Sequence, residues 1–231
     1  VASSGDNQVW WREGLKATGG FGAARPSAAA AEPRALAVGD FNRDGRKDLA
    51  VACAGANVVS VLWGDGAGGF GTRTDVPVGS GPVSLVTADF NADGKTDIAV
   101  ANLGSGTVSV LLGDGAGGFP TKLERAVGVS PSALIAADFN RDGRMDLAVA
   151  NRTAGTISIL AGRGDGSFDP RVDYPVGAGP AALAAGHFNA DGVLDLAVAN
   201  SSVVTVSILL GTADGNFAPK TDFPAGDGPA A

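Results

Sequence analysis

The chain of 231 residues contains one cysteine, one histidine and one tyrosine, and its acids are nearly all aspartate. Each shortage excludes something. Cys53 has no partner, so an intrachain disulfide is ruled out and cysteine usage gives no sign of the redox compartment. With only His187 and Tyr174, histidine-based triads and zinc centres have almost no material. Glutamate is confined to Glu13, Glu32 and Glu124, while glycine supplies 36 residues. That balance is poor for helices and suits short strands joined by tight turns. No apolar run approaches the ~20 residues that span a bilayer, so direct membrane insertion is not expected. The chain starts at Val1 with no signal-like stretch and reads as a mature or excised piece.

What is abundant is aspartate, and it is clustered. "DFNRDGRKD" (40–48) returns as "DFNADGKTD" (89–97), "DFNRDGRMD" (138–146) and "HFNADGVLD" (187–195). These stretches hold 11 aspartates, without which the net charge of −7 would become +4. The acidity is therefore local to the loops, and nucleic acid is not an expected partner. Hydrophobic residues make up 45% of the chain, enough for a substantial core.

Asp40, Asp89, Asp138 and then His187 lie 49 residues apart, as do Phe21, Phe70, Phe119, Phe168 and Phe217. A spacing without insertions means one structural unit copied in tandem. In the second copy, "VSLVTADF", "DIAVAN", "TVSVLLG" and "FPTKLERAV" read as four strands, separated by the acidic loop and by glycine-rich turns. Tandem four-stranded units of this length predict an all-β fold, a β-propeller with a 49-residue repeat, and the small residues of "LAVA" and "IAVA" let neighbouring sheets approach. A parallel β-helix has shorter rungs and fits less well. We expect a single domain over 1–231, with a partial repeat at 1–21, repeats at about 22–70, 71–119, 120–168 and 169–217, and a partial repeat at 218–231. Val1-Ala2 align with Val51-Ala52, and the final "GPAA" aligns with residues 179–182, so about five blades are expected with the terminal one incomplete. Exposed strand edges there would favour self-association or a larger parent propeller.

The spacing D-x-N-x-D-G-x-x-D resembles the front of an EF-hand loop. Calcium takes six to eight oxygen ligands, and positions 1, 3 and 5 of a tight loop can turn inward together. Position 12, where an EF-hand carries glutamate, is Val51, Val100, Val149 or Val198, and the next carboxylate stands at position 9. The candidate ligands are Asp40, Asn42, Asp44 and Asp48; Asp89, Asn91, Asp93 and Asp97; Asp138, Asn140, Asp142 and Asp146; and Asn189, Asp191 and Asp195. Arg46, Lys95, Arg144 and Val193 would contribute backbone carbonyls. At His187 an imidazole replaces the first carboxylate, so the fourth loop should be weak or empty, or held by hydrogen bonds from the histidine to its aspartates.

The phrase "DFNxDGxxDLAVAN", with "GDGxGxF" after it, resembles the FG-GAP repeats (integrin α-like, or VCBS) of calcium-loaded β-propellers, and the resemblance covers nearly the whole chain. It implies one blade per repeat, calcium loops on one face of the disc, and extracellular adhesion or ligand binding. It also implies that the chain could form part of a seven-bladed propeller.

These readings converge on a non-enzymatic, calcium-stabilised module, secreted or on a cell surface, that binds a protein or glycan or serves adhesion or assembly. The alternatives are a lectin, or a catalytic or non-catalytic part of a polysaccharide-active enzyme. A repeat lectin should show an aromatic platform in each blade, yet Trp63 aligns with Leu112, Ala161 and Leu210. Trp63, Trp10 and Trp11 are therefore read as packing residues. Arg163-Gly164-Asp165 reads as the repeat's own turn, and Cys53, which aligns with Asn102, Asn151 and Asn200, as a chance replacement.

Overall fold

The computed structural model describes residues 1–12, 14–15 and 20–226. Four antiparallel sheets of four strands follow one another along the chain, preceded by a sheet of three strands and a two-stranded ribbon. We call the three-stranded sheet blade 1 (Ala2–Ser3, Gln8–Trp11, Arg25–Ala28) and the complete sheets blades 2 to 5. Blade 3, for example, runs Pro82–Ala88, Asp97–Asn102, Thr107–Leu112 and Thr121–Ala126, and its strands pair in sequence order. The expected all-β architecture, with an incomplete terminal blade, is what forms.

Burial explains the pattern of each strand. The second strands (Asp48–Cys53, Asp97–Asn102, Asp146–Asn151) are buried at every position, because a neighbouring blade covers each face. Their alanines allow that approach. Ala99, Ala101, Val108 and Val110 of blade 3 pack on Leu134, Leu147, Val149 and Leu160 of blade 4. A pair of phenylalanines closes each interface between complete blades: Phe41 meets Phe119, Phe90 meets Phe168 and Phe139 meets Phe217, edge-on with centroids 5.8, 5.9 and 5.8 Å apart. At the ends of the arc the equivalent rings are uncovered, Phe188 being 49% and Phe21 71% exposed.

The ninth residue of each acidic loop ties its blade together. Asp48 accepts the backbone N–H of Phe41 on one oxygen (3.0 Å) and of Gly64 on the other (2.8 Å). Asp97 does the same for Phe90 and Gly113 (2.9 and 2.8 Å), Asp146 for Phe139 and Gly162 (2.9 and 2.7 Å), and Asp195 for Phe188 and Gly211 (2.7 and 2.8 Å). All four side chains are buried. The glycines are obligatory, since a Cβ at 64, 113, 162 or 211 would collide with the carbonyl of Lys47, Thr96, Met145 or Leu194.

The other end of the second strand carries a second lock. Asn102, Asn151 and Asn200 each donate from Nδ2 to a threonine (3.1 Å) and a serine (2.8 Å) of the next strand. Gly79, Gly128 and Gly177 make room for these amides; a Cβ there would sit 2.5–2.6 Å from asparagine atoms. In blade 2 the asparagine is Cys53 and the glycine is Ala30. The smaller thiol leaves space for the extra methyl, so Cys53 is one half of a compensated pair rather than a chance replacement. Burial pushes its thiol pKa up, which makes it an unreactive packing residue.

Two stability outcomes follow. Cys53→Asn alone should cost about 1–3 kcal/mol by overpacking against Ala30, and Ala30→Gly in the same chain should recover most of it; additive effects in a urea-denaturation cycle would contradict the pairing. Asp97→Asn should cost about 1–3 kcal/mol even in a metal chelator, because an amide cannot accept from both buried N–H groups. Asp93→Asn, on the exposed loop, should stay within about 0.5 kcal/mol under the same conditions.

Candidate ion loops and a central cavity

In the first three loops the side chains at positions 1, 3 and 5 all fold inward. Asp40 accepts the N–H of Asp44 (3.2 Å) and of Gly45 (3.1 Å), Asn42 Oδ1 that of Asp44 (3.1 Å), and Asp44 Oδ1 that of Arg46 (2.8 Å). The same bonds recur around Asp89, Asn91 and Asp93, and around Asp138, Asn140 and Asp142. The turn requires left-handed backbone at position 6, where Gly45, Gly94 and Gly143 have φ of 81°, 76° and 82°.

These donors suit calcium in kind. They are hard oxygens, and each carboxylate oxygen keeps a further lone pair. Among the described residues, however, no three acidic, histidine or cysteine side chains converge as a finished ion centre. Asp48, Asp97, Asp146 and Asp195, expected as ligands, are placed in the buried clamp just described. Burial, and then the nearby charges of the outer two aspartates, push the carboxyls of Asp97 and Asp146 above their ordinary range. Lys95 pairs with Asp93 at 3.0 Å and Arg144 approaches Asp142 at 4.0 Å, so side-chain cations offset part of the loops' charge.

The fourth loop is stitched differently. His187 Nδ1 lies 2.8 Å from the carbonyl of Val193, which can only accept, so the ring nitrogen donates. The histidine holds its hairpin through that carbonyl, not through aspartates, and occupies the oxygen assigned to an ion. Asn189 and Asp191 keep their inward bonds (3.0 and 2.8 Å).

At the opposite end of the inner strands lies a feature that the sequence reading missed. A cavity of about 490 Å³ is lined by residues of four blades, among them Arg34, Val83, Ser132, Ala181, Leu103 and Arg152. The first four are the second residues of their inner strands, and the ladder skips each of them. Pairing passes from Pro33 to Ala35, Pro82 to Ser84, Pro131 to Ala133 and Pro180 to Ala182. Such bulges re-aim a side chain out of the sheet. The signal was present in the repeat: the preceding residue is proline in all four copies, while the bulged residue is Arg, Val, Ser and Ala. Arg34 pairs with Glu32 at 3.1 Å, and no acid lies within ion-pair distance of Arg152 among the described residues.

Other singled-out residues serve packing or turns. Trp63 packs against the core between blades 2 and 3 and bonds Thr74 at 3.1 Å. Trp11 bonds Ser27 at 3.2 Å and meets Phe70 edge-on, whereas Trp10 is 36% exposed. Arg163 is paired with Asp169 (2.7 Å) and Asp165 with Ser167 (2.6 Å), which closes that tripeptide into a turn.

Among solved structures, the chain is similar to the Pseudomonas aeruginosa periplasmic gluconolactonase, at 20% identity and a TM-score of 0.75 over 97% of this chain and 65% of that one. It is similar to a putative 6-phosphogluconolactonase from Bacteroides fragilis at 17% identity and 0.72, covering 96% and 66%. It is also similar to an Agrocybe aegerita lectin described as recognising non-reducing terminal N-acetylglucosamine, at 16% identity and 0.62, covering 94% and 66%. The chain thus spans less than two thirds of each of these proteins, and at such identities the likeness establishes the fold. No curated protein matches the sequence.

Two expectations are corrected. Exclusion of catalysis rested on scarce histidine, cysteine and tyrosine, but proteins named as gluconolactonases share this fold across nearly the whole chain, so that exclusion falls. The integrin α-like reading, with calcium-dependent cell adhesion, is likewise overturned by structural likeness to lactonases and a lectin. The repeat itself stands. Residues 1–51, 44–100, 89–149 and 138–198 match the FG-GAP-like repeat, and the chain belongs to that family.

Proposed function

We propose that the chain is a carbohydrate-directed propeller module working outside the cytoplasm, with its ligand in the four-blade cavity and calcium in its first three acidic loops. One observation carries the ligand site: behind a proline kept in all four blades, a residue released from the ladder lines one shared cavity, and it is Arg, Val, Ser or Ala in turn. Side chains freed from the ladder around a single concave site form a surface available for recognition. The similar structures include a lectin, a periplasmic gluconolactonase and a protein described as a putative 6-phosphogluconolactonase, which supports both the sugar ligand and the location. A partner can also be a second copy, because uncovered Phe188 and Phe21 are the two halves of the clasp that joins interior blades.

Calcium would be held by Asp40, Asn42 and Asp44, Asp89, Asn91 and Asp93, and Asp138, Asn140 and Asp142, together with the carbonyls of Arg46, Lys95 and Arg144. Its charge offsets the crowding of carboxylates around the buried clamp, while Asp48, Asp97 and Asp146 fix the hairpin from beneath.

The sugar reading is checked by titrating a panel of mono- and oligosaccharides into the wild-type chain and into Leu103→Trp. Leu103 is 40% exposed, so the indole fits without disturbing the core and fills the cavity. Binding should drop at least tenfold; unchanged binding would place the ligand elsewhere. For the ion, saturating calcium at 100 times its dissociation constant should stabilise by ~2.7 kcal/mol per site, and a chelator should lower the melting temperature. Titration should show three tighter sites, and His187→Asp should strengthen the fourth; four equal sites in the wild type would refute the assignment.

A further inference from the structure

We infer that the four-blade cavity takes a sugar bearing a carboxylate, and that Arg152 grips the acid group. This rests on the sugar reading above and narrows it to a ligand class.

The charge of the cavity is the first ground. The protein carries −7 overall, yet the cavity's charged lining consists of two guanidinium groups and no acid. Glu32, just outside, pairs with Arg34 at 3.1 Å and takes up one of these charges. Arg152 has no such partner among the described residues. The local balance is therefore a single unsatisfied positive charge, which suits a monoanion better than a phosphate dianion. Guanidinium presents two parallel N–H donors, the geometry that a planar carboxylate accepts. Because the protein as a whole repels anions, attraction must come from contact inside the cavity and not from long-range steering.

The second ground is the rest of the lining. Leu103, Val83 and Ala181 present an apolar wall, with Leu103 40% exposed, on which the C–H face of a sugar ring can lie. The single proton of the Ser132 hydroxyl is committed to the carbonyl of Pro180 (2.7 Å), with that of Ala150 at 3.3 Å, and the contact joins blade 4 to blade 5. The bulges take Arg34, Val83, Ser132 and Ala181 out of the ladder pairing. A volume of about 490 Å³ holds a mono- or disaccharide.

The third ground is placement. Arg152 opens the turn after the second strand of blade 4, where its N–H bonds the carbonyl of Ser130 at 2.9 Å. The aligned residues in the other blades are Ala54, Leu103 and Ser201, so no structural need of the repeat calls for arginine there.

Calorimetric titration of glucuronate, galacturonate and gluconate, each beside its neutral parent sugar, tests the inference on the full chain. At least one acid should bind ten times or more tighter than its parent. Arg152→Gln should remove that preference, Arg152→Lys should keep part of it, and Arg163→Gln on the distant turn should change nothing. Melting curves establish that each variant is folded, and Arg152 is exposed, so its replacement leaves the core untouched. A preference that survives Arg152→Gln overturns the inference. Equal binding of acid and parent, blocked by Leu103→Trp, overturns it while the sugar reading stands. Absence of binding by every sugar overturns both.

Discussion

One buried carboxylate per blade governs the geometry of the whole arc. Asp48, Asp97, Asp146 and Asp195 each receive two backbone N–H groups from opposite sides, one at the start of the acidic loop and one at the end of the third strand. Burying a charge is costly unless its hydrogen bonds are made, and here both oxygens are used. The first of these N–H groups belongs to the phenylalanine that reaches into the next blade. The clamp therefore sets not only its own hairpin but also the angle at which one blade meets another. It demands glycine at 64, 113, 162 and 211 as well, where any side chain would strike the backbone. Fixed loop, fixed clasp and obligatory glycine leave no room for an insertion between the acidic loop and the end of the third strand.

The two ends of each inner hairpin obey different rules. At the acidic end the chain is copied almost residue for residue, because turn, clamp and clasp all constrain it. At the other end, roughly 20 Å away along a seven-residue strand, proline is kept and the next residue is released by a bulge. There the side chain answers neither to the core nor to the ladder. Divergence among copies accumulates where packing permits it, and the bulged positions around the cavity are one such place.

Much of this was legible in the sequence because period-two alternation and an unbroken repeat leave little choice of architecture. The second and third strands of blade 3 begin where the apolar alternation begins, at Asp97 and Thr107. Other features were hidden for identifiable reasons. An aspartate at position 9 has the same spacing whether or not it clamps two N–H groups, and only the burial and bonds of Asp97 reveal the clamp. The Cys53–Ala30 compensation needs the knowledge that positions 30 and 53 touch, which sequence separation conceals. Bulges at Arg34, Val83, Ser132 and Ala181 leave the hydrophobic pattern intact, so periodicity passes over them. Counting histidines and cysteines likewise says nothing about chemistry that arginine and aspartate could carry on the same fold.

The acidic loops consist of two layers of side chains, one buried and one exposed. Beneath, the clamp aspartates are buried and each of their oxygens accepts a backbone N–H. Above, Asp44, Asp93 and Asp142 stay exposed, with their outer oxygens facing asparagine amides at 3.1–3.2 Å. In the fourth loop His187 supplies the closing contact itself, bonding Val193 where a carboxylate would bond the turn. That blade keeps its clamp at Asp195 unchanged, so the lower layer suffices to hold the hairpin when the upper one is altered.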